Sequence, residues 1–204
     1  MNAFVLAGGQ STRMGRDKAL LEWQGRPLIE HALGKLRALG IAPRILGTRP
    51  DLERFAPVIH DNVPGCGPLG GIEAALSLTD ADLNLFLPVD LPLLPTEFLL
   101  WLIARATLTE AAATIPQIEG HPQPLCAIYH RSLLPGIRFA LEQGDGKVMR
   151  AVENAARNAG MRIDRFDVEA IGAAQASDSV WPRGIAAHRW FGNLNSPSDL
   201  SRTA

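Results

Sequence analysis

Three short stretches of the chain combine glycines, cations and carboxylates in ways that suit phosphate chemistry. The first is Leu6-Ala7-Gly8-Gly9-Gln10-Ser11-Thr12-Arg13-Met14-Gly15-Arg16-Asp17-Lys18. Glycines let backbone N–H groups close around phosphate oxygens, and Arg13 and Lys18 supply the cations that a polyphosphate needs. The string is neither G-x-G-x-x-G nor G-x-x-x-x-G-K-[ST], so neither the dinucleotide nor the P-loop fingerprint applies. Taken alone, Gly8-Gly9 is also an ordinary glycine turn. The second stretch runs Asp61-Asn62-Val63-Pro64-Gly65-Cys66-Gly67-Pro68-Leu69-Gly70-Gly71-Ile72. Its glycines permit close backbone approach to a flat base or ribose, and Asp61 can accept from an N–H or O–H donor. Tight packing of a turn would use the same glycines. The third is Pro88-Val89-Asp90-Leu91-Pro92. An aspartate at a buried strand end is costly unless compensated, and Mg²⁺ would compensate Asp90 while bridging phosphates. An aspartate that caps a turn fixed by Pro92 has the same local sequence. No Ser-His-Asp or Cys-His arrangement is recognisable from spacing, and Cys66 needs no nucleophilic role.

These stretches need elements to position them, and each follows an apolar run. Asn2–Ala7 reads as a buried strand stopped by Gly8-Gly9, and Leu83–Val89 as the most persuasive buried strand of the chain. Arg44–Gly47 and Pro57–His60 read as two more. Between them the period changes. Ile29, Leu33, Leu36 and Leu39 recur at helical spacing, with Pro27 near the start and Gly40 past the end. A helix over 71–78 offers Ile72, Ala75 and Leu76 on one face, and another opens at Leu94-Pro95-Thr96 and runs through Ala106. Later, 112–115, 124–129 and 162–168 read as strands, 147–159 as a helix and 170–187 as a loop. Nearly continuous apolar strands separated by helices indicate an α/β fold with a mainly parallel sheet covered on both faces. Such sheets bind ligands at the carboxyl ends of their strands, where all three stretches fall.

Composition narrows the function classes. The chain has 204 residues with 47% hydrophobic and 20% charged, enough apolar material for a compact fold and a length that suits one domain. A net charge of −1 gives no field for wholesale binding of nucleic acid or a membrane surface. The charge is nevertheless uneven. Residues 1–60 carry 9 Lys and Arg against 5 Asp and Glu, and residues 61–204 carry 11 against 16. A basic first third suits a small phosphate-bearing ligand. Two cysteines, Cys66 and Cys126, make neither a disulfide framework nor a zinc motif, and the apolar start is too short for a signal peptide. The expected setting is cytoplasmic, with no membrane and no nucleic acid as partner.

The first stretch as a whole resembles the L-A-G-G-x-S-x-R-M-G-x-D-K signature of bacterial molybdenum cofactor guanylyltransferases and related nucleotidyltransferases. The Pro64–Ile72 run is similar to their P-G-x-G-P-L-G-G-I stretch, and Pro88–Pro92 to their P-x-D-x-P motif. Gly120-His121-Pro122-Gln123-Pro124-Leu125 resembles a later loop of the family, and Asn193-Leu194-Asn195-Ser196-Pro197-Ser198-Asp199 its near-C-terminal N-x-N-[TS]-P-x-D, although Ser196-Pro197 is also a good helix start. Two places depart from the pattern: Leu46-Gly47-Thr48-Arg49 stands where an asparagine is common, and the segment from Gly172 to Trp190 is longer and more aromatic. The resemblance implies a single-domain, Rossmann-like three-layer α/β/α nucleotidyltransferase fold over residues 1–204. Residues 1–92 would form a nucleotide- and Mg²⁺-binding half and 93–204 an acceptor-binding half.

It also implies roles. Leu6, Ala7, Gly8, Gly9, Lys18, Asp61 and Asp90 would bind the nucleotide, with Asp61 toward guanine. Lys18, Arg13 and Asp90 would be catalytic, with Asp90 the Mg²⁺ ligand, and His121, Asn193 and Asn195 would face the acceptor. The implied reaction moves GMP from GTP to molybdopterin or molybdenum cofactor with release of pyrophosphate. Transient contact with molybdoenzymes and other cofactor-synthesis proteins would follow. Two rivals stay open at this point: a cytidylyltransferase or other nucleotidyltransferase on the same scaffold, and a non-catalytic carrier of the pterin cofactor.

Overall fold

Alternation along two central strands sets the layering of the structure, a computed structural model that describes residues 1–8, 18–174 and 186–192. In β1 (Asn2–Leu6), Ala3 and Val5 point to one face of the sheet and Phe4 and Leu6 to the other. In β6 (Leu83–Pro88), Leu85 and Leu87 join the first set and Phe86 the second. Both faces are therefore apolar, and each must be covered. Helices α1 (Leu28–Ala38) and α3 (Thr96–Thr109) cover the first face. Helices α2 (Gly67–Ser77), α4 (Leu134–Glu142) and α5 (Val148–Asn158) cover the second. The result is the expected α/β fold with a mainly parallel sheet and helices on both sides.

The remaining strands are the hairpin β2 (Glu22–Trp23) and β3 (Arg26–Pro27), then β4 (Arg44–Leu46), β5 (Val58–Ile59), β7 (Ala113–Ile118), β8 (His121–Pro122), β9 (Ala127–His130) and β10 (Ile163–Asp167). The main sheet has eight strands in the order β10-β7-β9-β6-β1-β4-β5, with β8 paired to β7. β1 is parallel to both β4 and β6, pairing Phe4 with Arg44 and with Phe86. β9 alone among the seven runs antiparallel, inserted between β6 and β7. Its amino-terminal end thus arrives at the same sheet edge as the carboxyl ends of β1 and β6.

Several boundaries differ from the sequence reading for local reasons. Helix α2 begins at Gly67 rather than at 71, because Pro68 sits in its first turn, where the missing N–H costs nothing. Strand β7 runs on to Ile118 through Pro116, whose carbonyl accepts from the Gln123 N–H at 2.8 Å. Residues 124–126 turn instead of extending, closed by the Cys126 N–H on the Gln123 carbonyl at 3.1 Å. Helix α4 escaped the reading, and the loop expected over 170–187 carries helix α6 (Val168–Ala174) at its start and α7 (Ala187–Trp190) at its end. Trp190 and Phe191 close on Phe98 with ring centroids 5.5 and 5.6 Å apart, so that aromatic segment caps the α3 face. None of the described helices is long and apolar enough to cross a membrane.

Helices α4 and α5 meet with almost no space between them. A Cβ on Gly136 would stand 2.5 Å from both Cα and Cβ of Ala155. Gly136→Ala must therefore push the two helices apart, and urea unfolding should show a loss of about 1–3 kcal/mol. An unchanged midpoint would mean that the pair has slack.

Candidate active site

The carboxyl ends of β4, β1 and β6 are stitched into one surface by backbone hydrogen bonds. The Ala7 N–H donates to the Leu46 carbonyl and the Val89 N–H to the Leu6 carbonyl, each at 3.1 Å. At this edge two chain segments cross closely. A Cβ on Gly47 would stand 3.1 Å from both Cα and N of Gly8, and Gly47 has a φ of +141°, where a side chain is strained in any case.

Beyond this crossing a cleft of about 380 Å³ opens. Leu6, Ala7, Gly8, Lys18 and Asp90 line it on one side, and Gln123, Pro124, Leu125 and Cys126 on the other. Lys18 and Asp90, 72 residues apart, form an ion pair in which the Lys18 ammonium donates to Asp90 Oδ2. Their side chains are 22% and 16% exposed, so the pair is largely withdrawn from water yet faces the cleft. Lys18 is held from behind. The Leu21 N–H donates to the Lys18 carbonyl at 3.2 Å and the Leu28 N–H to the Leu21 carbonyl at 2.9 Å, which ties the turn 18–20 to the start of α1. The hairpin after it is clamped by His31, whose Nε2 contacts the Trp23 carbonyl at 2.7 Å while its ring packs edge-on against Trp23 at 4.9 Å. The hairpin turn, Gln24-Gly25, has φ of +48° and +76°, the left-handed pair that a two-residue hairpin requires.

Asp61 lies apart from this cleft, partly buried over the first turns of α2. A Cβ on Gly70 would stand 3.4 Å from Asp61 Oδ2, and one on Gly71 would stand 3.5 Å from Oδ1 and 3.4 Å from Cβ of Leu46. These two glycines therefore serve packing, letting α2 seat against Leu46 and under the Asp61 carboxylate. Burial raises the Asp61 pKa above the usual carboxylate value, against a lowering by His60. The next residue, Asn62, donates from Nδ2 to Glu73 Oε2 at 2.8 Å, and Glu73 also accepts from Ser77 Oγ at 2.7 Å and Arg138 Nε at 2.8 Å. Burial opposes ionisation of Glu73, but these donors outweigh it and leave its pKa lowered.

His121 is exposed on the β7–β8 hairpin, whose turn Glu119-Gly120 repeats the left-handed pair with φ of +49° and +75°. It does not line the cleft, whereas Gln123 to Cys126, just after it, do. The motif spanning Gly120 to Leu125 included the first three of them, but the acceptor role it implied fell on His121 alone. Only the antiparallel course of β9 brings that backbone opposite Lys18 and Asp90. Gly9, Arg13, Asn193 and Asn195 lie outside the described residues. Among the described residues no three His, Cys, Asp or Glu converge into a metal cage. Asp90, a partly buried carboxylate that faces the cleft, suits Mg²⁺, which takes one or two carboxylates and completes its shell with water and phosphate oxygens.

A cleft at the carboxyl edge of a mainly parallel sheet, carrying a lysine–aspartate pair beside a glycine crossing, stands where α/β folds bind their ligands. The family profile of the MobA-like NTP transferase domain matches residues 3–159, and the chain belongs to that family. A "probable molybdenum cofactor guanylyltransferase" of Deinococcus radiodurans is 35% identical, the match covering 98% of this chain and 92% of that protein. The molybdenum cofactor guanylyltransferase of Vibrio cholerae is 37% identical over 71% of this chain and 73% of its own length. The crystal structure of molybdopterin-guanine dinucleotide biosynthesis protein A from Archaeoglobus fulgidus superposes with a TM-score of 0.77 at 25% identity, covering 99% of this chain and 96% of that one.

Two outcomes follow from this geometry. Gly47→Ala should cost more than about 1 kcal/mol, because the native backbone there cannot accept a side chain, and should weaken nucleotide binding by displacing Gly8. Calorimetry and urea unfolding on the same variant check both. Burial holds the Cys126 thiol at the cleft wall far above its usual pKa, with the Asp90 charge adding to the shift. A group whose pKa is raised by folding contributes stability that is complete below its unfolded value and is lost above it, so stability should fall as pH rises past about 8.5. Cys126→Ser should flatten that fall between about pH 8.5 and 9.5, below the range where the buried Tyr129 hydroxyl adds the same trend.

Proposed function

We propose that the protein transfers GMP from GTP to molybdopterin or molybdenum cofactor, releasing pyrophosphate and yielding the guanine dinucleotide form. The observation that carries this reading is the Lys18–Asp90 pair facing one cleft at the ends of β1 and β6, in a chain matched over 98% of its length by a protein named probable molybdenum cofactor guanylyltransferase. In the reaction a phosphate oxygen of the acceptor bonds to the α-phosphorus of GTP, and the bond from that phosphorus to the bridging oxygen of pyrophosphate breaks. The acceptor oxygen is already anionic, so catalysis asks for alignment and charge neutralisation more than for a strong base.

The chain's own groups suit those tasks. The backbone at Leu6, Ala7 and Gly8, with Gly9 beyond them, positions the nucleotide phosphates at the strand end. Lys18 and, by its place in the signature, Arg13 stabilise charge on the α-phosphate and on the leaving pyrophosphate. Asp90 would hold Mg²⁺, which when bound neutralises phosphate charge and polarises the reacting phosphorus. Asp61 takes the guanine side, through the loop that the Glu73 network fastens. Residues 93–204 serve the acceptor, with Gln123 to Cys126 as the described wall and His121, Asn193 and Asn195 as further contacts. A cytoplasmic setting and transient contact with molybdoenzymes and other cofactor-synthesis proteins belong to the same reading.

Titration calorimetry with GTP, CTP and ATP, each with and without Mg²⁺, tests it. GTP should bind best and need the metal. Stronger binding of CTP would keep the scaffold and overturn the product. Asp90→Asn should lower pyrophosphate release from GTP and cofactor by at least about a hundredfold, the scale of losing one electrostatic contact in a dry site. Circular dichroism on the same variant checks that the fold persists, and turnover within threefold of wild type would remove Asp90 from the mechanism.

A further inference from the structure

One lysine on α1 is spent on a loop rather than on solvent. Lys35 is partly buried, and its Nζ donates to the Pro92 carbonyl at 2.8 Å. Pro92 is itself buried, two residues after Asp90, in a turn closed by the Leu94 N–H on the Leu91 carbonyl at 3.3 Å. Burial lowers the Lys35 pKa to about 8, with repulsion from Arg26 adding to the shift, so the amine sits there at an electrostatic cost. A methionine would cover the same apolar surface without that cost, which leaves the hydrogen bond as the reason for a lysine.

The same helix carries the other half of the ion pair. Lys18 is tied to the start of α1 by the two backbone hydrogen bonds through Leu21 and Leu28. The Asp90 turn is tied to the middle of α1 by Lys35 alone among the side-chain bonds described for Pro92. We propose that Lys35 is a positioning residue: it fastens the Asp90-bearing turn to α1, so that one rigid helix holds Lys18 and Asp90 together on the same wall of the cleft. The inference rests on the reading of Asp90 as the metal-holding carboxylate for its consequence, and on the geometry alone for the strap.

The test compares wild type with Lys35→Met and Lys35→Arg, and adds Asp90→Asn as a control. Amide hydrogen exchange reads the strap directly. In Lys35→Met the amides of Val89 and Leu94 should exchange faster by about five- to tenfold, the weight of one lost hydrogen bond, while Ile45 in β4 stays unchanged. Mn²⁺ affinity in the presence of GTP, followed by electron paramagnetic resonance, should fall about tenfold in Lys35→Met, with most of the kinetic loss in kcat. Lys35→Arg should recover both. Unchanged exchange at 89–94, or an even rise across the whole chain, would overturn the strap, as would failure of both variants to fold, since Lys35 would then serve the core. If Asp90→Asn binds Mn²⁺ as wild type does, the metal role of Asp90 falls, and the exchange pattern still decides on Lys35.

Discussion

A carboxylate at the end of a buried central strand cannot stand alone, and much of this structure is arranged around that constraint. Asp90 leaves β6 where both faces of the sheet are covered, and it is compensated by Lys18, which follows β1 in the chain. Removing one partner of such a pair leaves the other charge poorly solvated, so the partners must be delivered together. Delivery depends on the pairing of β1 with β6, on the turn at 18–20 resting against α1, and on the Trp23–His31 clamp behind it. Under the proposed function the same pair serves the cleft's chemistry, because a cation and an anion side by side can accept phosphate on one and a hard metal on the other.

The rest of the site is built mainly from backbone. Gly47 crosses Gly8 so closely that a side chain on Gly47 would press on the Gly8 backbone. Gly70 and Gly71 bring α2 in beneath Asp61, and the buried Glu73 gathers Asn62, Ser77 and Arg138 into one network that links the Asp61 loop to α4. The opposite wall is the turn entering β9. Reversing one strand in an otherwise parallel row brings Gln123 to Cys126 to the edge where the other strands end. The Asp61 surroundings, the Gly8–Gly47 edge and the far cleft wall thus come from three different topological devices: a helix start, a strand crossing and a reversed strand.

The sequence by itself determined the layered α/β class, because apolar strands and 3.6-residue periodicity are local patterns that survive without any knowledge of partners. It also made Leu6–Gly8, Lys18 and Asp90 candidates for phosphate chemistry, although a glycine turn and a capping aspartate have the same local sequences and only the resemblance of the whole signature singles them out. Other features were not legible. The direction of β9 depends on which neighbours it pairs with, the position of His121 outside the cleft depends on a hairpin turn at Glu119-Gly120, and the packing role of Gly70 depends on Asp61 lying above it. Helix α4 lacked a start signal strong enough to mark it, and it is fixed instead by Gly136 against Ala155 and by Arg138 on Glu73. Only the tertiary structure decided that Lys18 and Asp90 meet, because a contact across 72 residues is set by strand order and helix packing. No spacing along the chain encodes it.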